Sequence, residues 1–312
     1  MARRNRNRRR TEPPGASGFL VVDKPGGWTS HDVVDAVRRS FGTRRVGHLG
    51  TLDPQATGVL PLAVRAATKL IPFLEGARKR YDGTVVLGVE TDTLDAEGEV
   101  LRRHEGPLPD QATVEAALAG FRGDIQQIPP MYSAVKKDGV PLHRLARRGE
   151  EVEREPKWVT IESLELTRFD PPEIDLSVVC SSGTYVRALA ADLGQALGCG
   201  AHLGGLRRTL SAPFSIEEAH RIEALEAAVE AGKQEALLIP MHEALGFPVC
   251  RVGAEQLERI RNGGDLPSGE LHRCRPGSRV SVLDEAGSLV AVAEVRADRR
   301  LWPLRVLAPE PV

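Results

Sequence analysis

The stretch GHLGTLDPQATGVLP, residues 47–61, sets a single carboxylate, Asp53, among three glycines and two prolines. A carboxylate can attack an electrophile, stabilise positive charge or move protons. Pro54 pushes Asp53 out of the helical region, and the glycines at 47, 50 and 58 give access to left-handed and close-approach backbone. The pattern predicts a stiff, irregular loop that presents one acid. Taken alone it is also the pattern of an ordinary turn, so the rest of the chain must decide. No Walker loop, dinucleotide fingerprint or metal-ligating cluster accompanies it. The cysteines at 180, 199, 250 and 274 form no CxxC pair, so neither structural zinc nor a disulfide framework is expected, and a reducing cytoplasm is the default compartment. Cys180 and Cys199 have no adjacent histidine and read as packing residues.

The 312 residues suffice for one large domain and a small one. GVLPLAVRAATKLIPFL, the most apolar run, is interrupted by Arg65 and Lys69, so no membrane span is expected. The arginine-rich start carries no apolar stretch, so no signal peptide is expected either. Net charge is −1, but it is unevenly spread. MARRNRNRRR holds six of the 42 Lys and Arg residues, and the other 36 face 43 Asp and Glu. A polyanion site on the folded body must therefore be a local patch. The head itself reads as a disordered basic tail over 1–17, either solvated or an auxiliary RNA-binding arm.

Periodicity supplies the elements that would hold the acid. GFLVVDK (18–24) reads as a strand, and TSHDVVDAVRRSF as a helix opened by a Thr29–Asp32 capping box, with Val33, Val37 and Phe41 on one stripe. RYDGTVVLGVE (80–90), WVTIESLELTRF (158–169) and IDLSVVC (174–180) alternate as strands, and TVEAALAGF (113–121) suits a helix. TYVRALAADLGQAL places Val186, Leu189, Ala190, Leu193 and Leu197 on a helical face that packs on a sheet. Strands and helices do not alternate strictly, so the expected class is α+β with a mixed or antiparallel sheet. After Ala244 come FPVCRV, AEQLERIRNG and the hairpin RVSVLDEAGSLVAVAEV, which predict a small β-rich domain over 246–312 behind a main domain over 18–245.

GHLGTLDPQATGVLP resembles the catalytic motif of the TruB family, the tRNA pseudouridine-55 synthases. VVDKPGGWTSHDVV (21–34), KRYDGTVVLGVETDTLDAEG (79–98), QIPPMYSAVKKDGVPLHRLARRGEEV (127–152) and CSSGTYVRALAADLGQALGCGAHLGGLRRTLSAPF (180–214) match in the family's order. The resemblance spans residues 18–220. It departs at Leu49 and Thr51, where threonine and alanine are more usual, and it does not include the arginine head.

The resemblance implies a pseudouridine-synthase fold with a PUA-like C-terminal RNA-binding domain, no cofactor and no metal. It gives Asp53 the chemistry, Arg187 the task of keeping that acid ionised in a closed pocket, and Tyr81 the role of platform for a flipped uracil. Tyr185 would be pocket wall, and Leu206 with Arg207 and Arg208 would border the pocket and the RNA backbone. His48 would fill the space the base leaves. Lys24 would support the loop or contact phosphate, and Lys136 and Lys137 would meet phosphates from an acid-rich segment that can equally be a solvated face. The implied substrate is the T-arm stem-loop of tRNA, acted on in the cytoplasm by a monomer without an obligatory protein partner. Other readings are a tRNA-elbow folding protein, a guide-RNA-dependent relative, and a small-molecule hydrolase for which the sequence shows no second carboxylate.

Overall fold

The computed structural model describes residues 15–307 except 134, 138, 147, 151 and 268–273, and leaves the side chains of Lys136, Pro141 and His143 outside the description. Residues 1–14, which carry the arginine head, also lie outside it. At the end of the expected tail, the Ala16 amide donates to the Glu235 carboxylate (2.9 Å) and Ser17 Oγ accepts from the Ala66 amide (3.0 Å). These two residues belong to the folded body.

Among the described residues the body is a nine-stranded sheet. Its main path runs Gly18–Lys24, Thr57–Val64, Ala201–Ser211, Lys79–Leu87, Glu173–Cys180, Lys157–Asp170 and Gly123–Gln127. The short strands Val46–His48 and Phe214–Ser215 pair with Thr57–Val64 and Ala201–Ser211. Neighbours are antiparallel except where Thr57 and Gly58 run parallel to Arg207 and Arg208. The sheet is therefore mixed, and the α+β class holds.

The parallel seam depends on a glycine. Gly58 has φ +97°, and a Cβ there would lie 2.2 Å from the Arg208 carbonyl oxygen. No other residue fits that approach. The strand starting at Thr57 takes up the second half of the glycine-rich motif, including Pro61, which the sequence groups with the loop. Pro61 lacks an amide hydrogen, yet its carbonyl accepts from the Leu49 amide at 2.9 Å and so closes the loop at its base.

Two helices pack under this sheet. Ser30–Ser40 begins at the expected box: Thr29 Oγ1 accepts from the Asp32 amide, and the Asp32 carboxylate accepts from the Thr29 amide. Such a cap contributes about 1 kcal/mol. Val186–Ala196 buries Val186, Leu189, Ala190 and Leu193 as its periodicity predicts. Both helices join a single core with Leu20, Leu60, Val85 and Val178 of the sheet.

A second sheet follows, ordered Val249–Arg251, Arg279–Leu283, Leu289–Val295, Arg300–Val306 and Leu266–Pro267, with its own core around Val280, Val282, Ala291 and Leu301. Leu283, Leu289, Val292 and Leu307 also join Phe19, Val21, Phe214 and Leu245 in one buried cluster. The C-terminal sheet is thus seated on the large one through apolar contact.

Candidate active site

Three side chains from distant parts of the chain hold the loop around Asp53. Lys24 is fully buried, and its ammonium donates to the carbonyls of Pro25 (2.9 Å), Trp28 (2.5 Å) and Pro54 (2.9 Å). Ser30 Oγ donates to the Leu52 carbonyl (3.1 Å) and accepts from the Leu52 amide (2.9 Å). Arg208, also fully buried, donates to the carbonyls of Val59 (2.7 Å), Gly50 (3.1 Å) and Thr51 (3.4 Å). Buried carbonyls need donors, and here two cations and a hydroxyl supply them. Lys24 takes the first of its two expected roles, support of the loop, and Arg208, expected to border the pocket and the RNA backbone, is an internal bolt of the loop instead. Their donors are engaged and their surface is out of reach of a phosphate.

The cradle presents Asp53 to Arg187, whose Nε lies 3.0 Å from Asp53 Oδ2. Arg187 sits off the apolar stripe of its helix yet has only 7 % of its side chain exposed, because it points into the site. Its other nitrogens are also engaged. Nη1 meets Asp95 Oδ2 (3.1 Å) and the Thr93 carbonyl (3.2 Å), and Nη2 donates to the Tyr132 carbonyl (2.8 Å). Asp95 is held in turn by the Thr93 hydroxyl and the Glu97 amide. A second carboxylate, which the sequence did not show, thus stands near Asp53. The acid in TDTLDAEG reaches Arg187 across 92 positions of sequence. Its only sequence signal was membership of a matched segment.

A cavity of about 250 Å³ opens beside the pair, walled by Asp53, Lys79, Tyr81, Tyr185, Arg187 and Leu206 among others. A second, of about 200 Å³, lies on the other flank of the same pair, with Asp95, Glu97 and Leu206 in its wall. Asp53 keeps 45 % of its side chain open to this space. Desolvation by the surrounding protein raises its pKa above the usual carboxylate value, and Arg187 opposes that rise. Tyr81 is buried, and desolvation raises its phenol pKa while a hydrogen bond from Arg208 works the other way. The phenol is a neutral donor beside an apolar ring face. Tyr185 is half-buried, with its phenol likewise raised by burial and bonded to Ser133. Its backbone is fixed from both sides by Gln127, whose side-chain amide accepts from the Tyr185 amide (2.9 Å) and donates to its carbonyl (3.0 Å).

The remaining expected residues scatter. His48 ends its strand beside the loop, half-buried, with Nδ1 lacking a hydrogen-bond partner among the described residues. Burial, with Arg208 nearby, lowers its pKa, so the ring is neutral at pH 7. Arg207 turns away from the Asp53 cavity and pairs with Asp23 through two bonds of 3.0 and 2.9 Å. Lys137 donates to the Glu153 carbonyl (2.8 Å) and borders a separate cavity with Glu153, Arg154, Glu155 and Lys157. The backbone of Lys136 pairs with Pro141, and its side chain lies outside the described residues. Sequence reasoning missed Ser30, Lys79, Asp95 and Gln127.

The chain is similar to known proteins in sequence and in fold. Residues 38–186 match the family model described as TruB family pseudouridylate synthase (N terminal domain), and 187–246 match the tRNA pseudouridylate synthase B C-terminal domain. A curated relative from Opitutus terrae, named tRNA pseudouridine synthase B, is 50 % identical over 227 residues, 73 % of this chain and 94 % of the relative. One of the same name from Geobacter sulfurreducens is 44 % identical over 294 residues, 91 % and 95 % of the two chains.

The chain belongs to the TruB family. The TruB fold is also shared with solved ribonucleoprotein structures. A chain of a Cbf5-Nop10-Gar1 complex superposes with a TM-score of 0.70 at 25 % identity, covering 94 % of this chain and 85 % of that one. A chain of an H/ACA RNP bound to a substrate RNA containing 2'-deoxyuridine gives 0.69 at 23 %, covering 94 % and 87 %. As a TruB-family pseudouridylate synthase the protein is an isomerase, and the Asp53–Arg187 cavity is its candidate reaction site.

Proposed function

We propose that this synthase converts uridine 55 in the T arm of tRNA to pseudouridine, with Asp53 as the acid on which the reaction turns. The observation that carries the reading is the Asp53–Arg187 pair, 3.0 Å apart, in the wall of a cavity shared with Tyr81, Tyr185 and Leu206. The names of the curated relatives supply tRNA as the substrate class.

The reaction breaks the bond between the anomeric carbon and N1, turns the uracil, and rejoins the sugar through C5, whose proton leaves while N1 takes up a proton. The target atoms lie within folded RNA, so the nucleotide must be extruded into the cavity. There Tyr81 and Leu206 offer flat apolar surface to the base, with Tyr185 as a further wall. Arg187 holds Asp53 ionised while water is displaced, since desolvation alone would protonate it. The ionised oxygen can add to the sugar or the base, or stabilise charge and carry a proton. Asp95 and the carbonyls of Thr93 and Tyr132 hold Arg187 in the one orientation that meets Asp53.

Around this site we assign residues 18–245 to catalysis and 246–312 to a PUA-like module that touches the acceptor side of tRNA. The synthase works in the cytoplasm as a monomer, without cofactor, guide RNA or protein partner. Tritium release from a bare T-arm stem-loop labelled at C5 of its uridines tests the assignment directly. Wild-type protein should release it, while Asp53→Asn should bind the stem-loop and release none. Full activity in Asp53→Asn would overturn the role of the acid. Binding and refolding of tRNA without any release, in wild type, would favour an elbow-folding protein. Mapping pseudouridine in tRNA from cells lacking the protein tests position 55.

A further inference from the structure

Lys79 is the one side chain of the Asp53 cavity wall that carries charge and has no task in the account above. It lies on the strand Lys79–Leu87, two residues before Tyr81, so both side chains fall on the same face, about 6.7 Å apart along the strand. Its ammonium reaches over the catalytic loop and lies 2.9 Å from where a Cβ would sit on Gly50, which has φ +111°. A side chain at position 50 would push the ammonium out of place. No hydrogen bond or ion pair engages Lys79 Nζ among the described residues. Its charged neighbour is another cation, Arg208, and the thiol across the sheet, Cys180, has its pKa pushed up to about 11 and stays neutral.

An ammonium half out of water, beside a second cation and without an anion, is unfavourable in the empty site. Arg208 cannot take an outside anion, because its donors hold the loop carbonyls. Lys79 retains all three of its own. Asp53, the anion of this cavity, already pairs with Arg187. The missing partner must therefore arrive with the ligand. If the cavity receives an extruded uridine, as proposed above, every nucleotide brings such an anion in its backbone phosphate. A base resting on Tyr81 leaves its own backbone within reach of a lysine side chain two positions earlier on the same face.

We propose that Lys79 binds a backbone phosphate of the nucleotide that enters the cavity. The contact anchors the sugar–phosphate side while the base is free to turn. The proposal rests on the uridine-extrusion reading and adds to it a residue for substrate positioning. It also predicts a pH signature. Burial lowers the Lys79 pKa to about 8 in the free protein. A bound phosphate favours the charged form, so affinity should fall as pH rises through about 8. The other titratable groups facing it do not change charge there. Tyr81 and Cys180 titrate higher and His48 lower, and Asp53 is replaced in the background used for the test. Lys24 also titrates at about 8, but behind the loop and against three carbonyls.

The test measures binding of a T-arm stem-loop in the Asp53→Asn background, with Lys79 kept, changed to Met or changed to Arg. The series is run against salt at neutral pH, and against pH at fixed salt. Lys79→Met should weaken binding on the order of tenfold and reduce the log–log salt slope by about 0.7–0.9, the loss of one phosphate contact. Its affinity should be flat across pH 8. Lys79→Arg should restore the salt slope and also be flat, because a guanidinium does not titrate there. A wild-type salt slope in Lys79→Met overturns the proposal, even if affinity drops, since it would show a packing role. A fall in affinity across pH 8 that survives in Lys79→Arg would assign the titration to Lys24 and overturn it as well. If Asp53-intact protein fails to convert the stem-loop, the uridine reading and this one fall together. Conversion with an unchanged slope removes only Lys79.

Discussion

Replacing Arg187 separates the charge of the site from its geometry. Its guanidinium meets four acceptors at once: Asp53 at 3.0 Å, Asp95 at 3.1 Å, and the carbonyls of Thr93 at 3.2 Å and Tyr132 at 2.8 Å. A unit charge 3.0 Å from the Asp53 oxygen is worth about 1.4 kcal/mol at the dielectric of water and about 5.5 kcal/mol at an effective value of 20. Because Asp53 keeps 45 % of its side chain open to the cavity, screening draws the figure toward the lower end, about 1.4–2.7 kcal/mol. Arg187→Met removes that stabilisation. The folded pKa of Asp53, already raised by burial, rises further, so the ionised form is lost at a higher pH. On the acid side of the profile the ionised fraction should fall about ten- to hundredfold relative to wild type. Arg187→Lys keeps the charge but offers one ammonium where a planar fork spans four acceptors. Each buried acceptor left unmet costs about 1–3 kcal/mol, so this variant should lose on the order of a hundredfold in rate with its acid limb near that of wild type. Single-turnover tritium release across pH, at saturating stem-loop, reads both effects. An unmoved acid limb in Arg187→Met would refute the electrostatic reasoning. Full activity in Arg187→Lys would refute the geometric part.

Asp95→Asn should slow the single-turnover rate about tenfold or more, as Arg187 loses the anion that orients it, while stem-loop affinity stays near that of wild type. A wild-type rate would show that the two carbonyls suffice to hold the guanidinium. Lys24→Met leaves the carbonyls of Pro25, Trp28 and Pro54 without their donor, for a net loss of about 2–4 kcal/mol after relief of the buried charge. Urea unfolding measures it, and an unchanged salt slope for RNA binding should accompany it, because this lysine meets no phosphate. Gly58→Ala forces a Cβ to 2.2 Å from a backbone oxygen at φ +97° and should cost at least about 3 kcal/mol in the same assay. A variant of wild-type stability would mean that the parallel seam yields easily.

What the sequence disclosed followed from how local each feature is. The capping box at Thr29 and Asp32 and the apolar stripe of Val186, Leu189 and Leu193 are written within a few residues, and both stand where they were expected. Pro61 was harder. A proline beside glycines argues for a loop, and only the surrounding sheet shows that this position needs an acceptor and no donor. Asp53, Tyr81 and Arg187 were legible through family motifs, and the structure gathers all three around one cavity.

The misreadings share one cause. Arg208 looked like an RNA contact, and Lys24 was left open between loop support and a phosphate, because a cation in a loop or near a strand end is normally solvated. What decides their role is a set of carbonyls turned inward by the Asp53 loop, and that set exists only once the loop has closed. Arg208 meets its acceptors across about 150 positions of sequence and Lys24 meets Pro54 across 30. Asp95 and Gln127 were overlooked for the same reason, since neither has meaning until Arg187 and Tyr185 are brought beside them. Lys79 is the informative exception. It lines the same site, partly buried, and no acceptor meets its ammonium among the described residues. Where desolvated cations are normally satisfied from within, a cavity-wall cation with no acceptor among the described residues marks the place where an anion from outside completes the site.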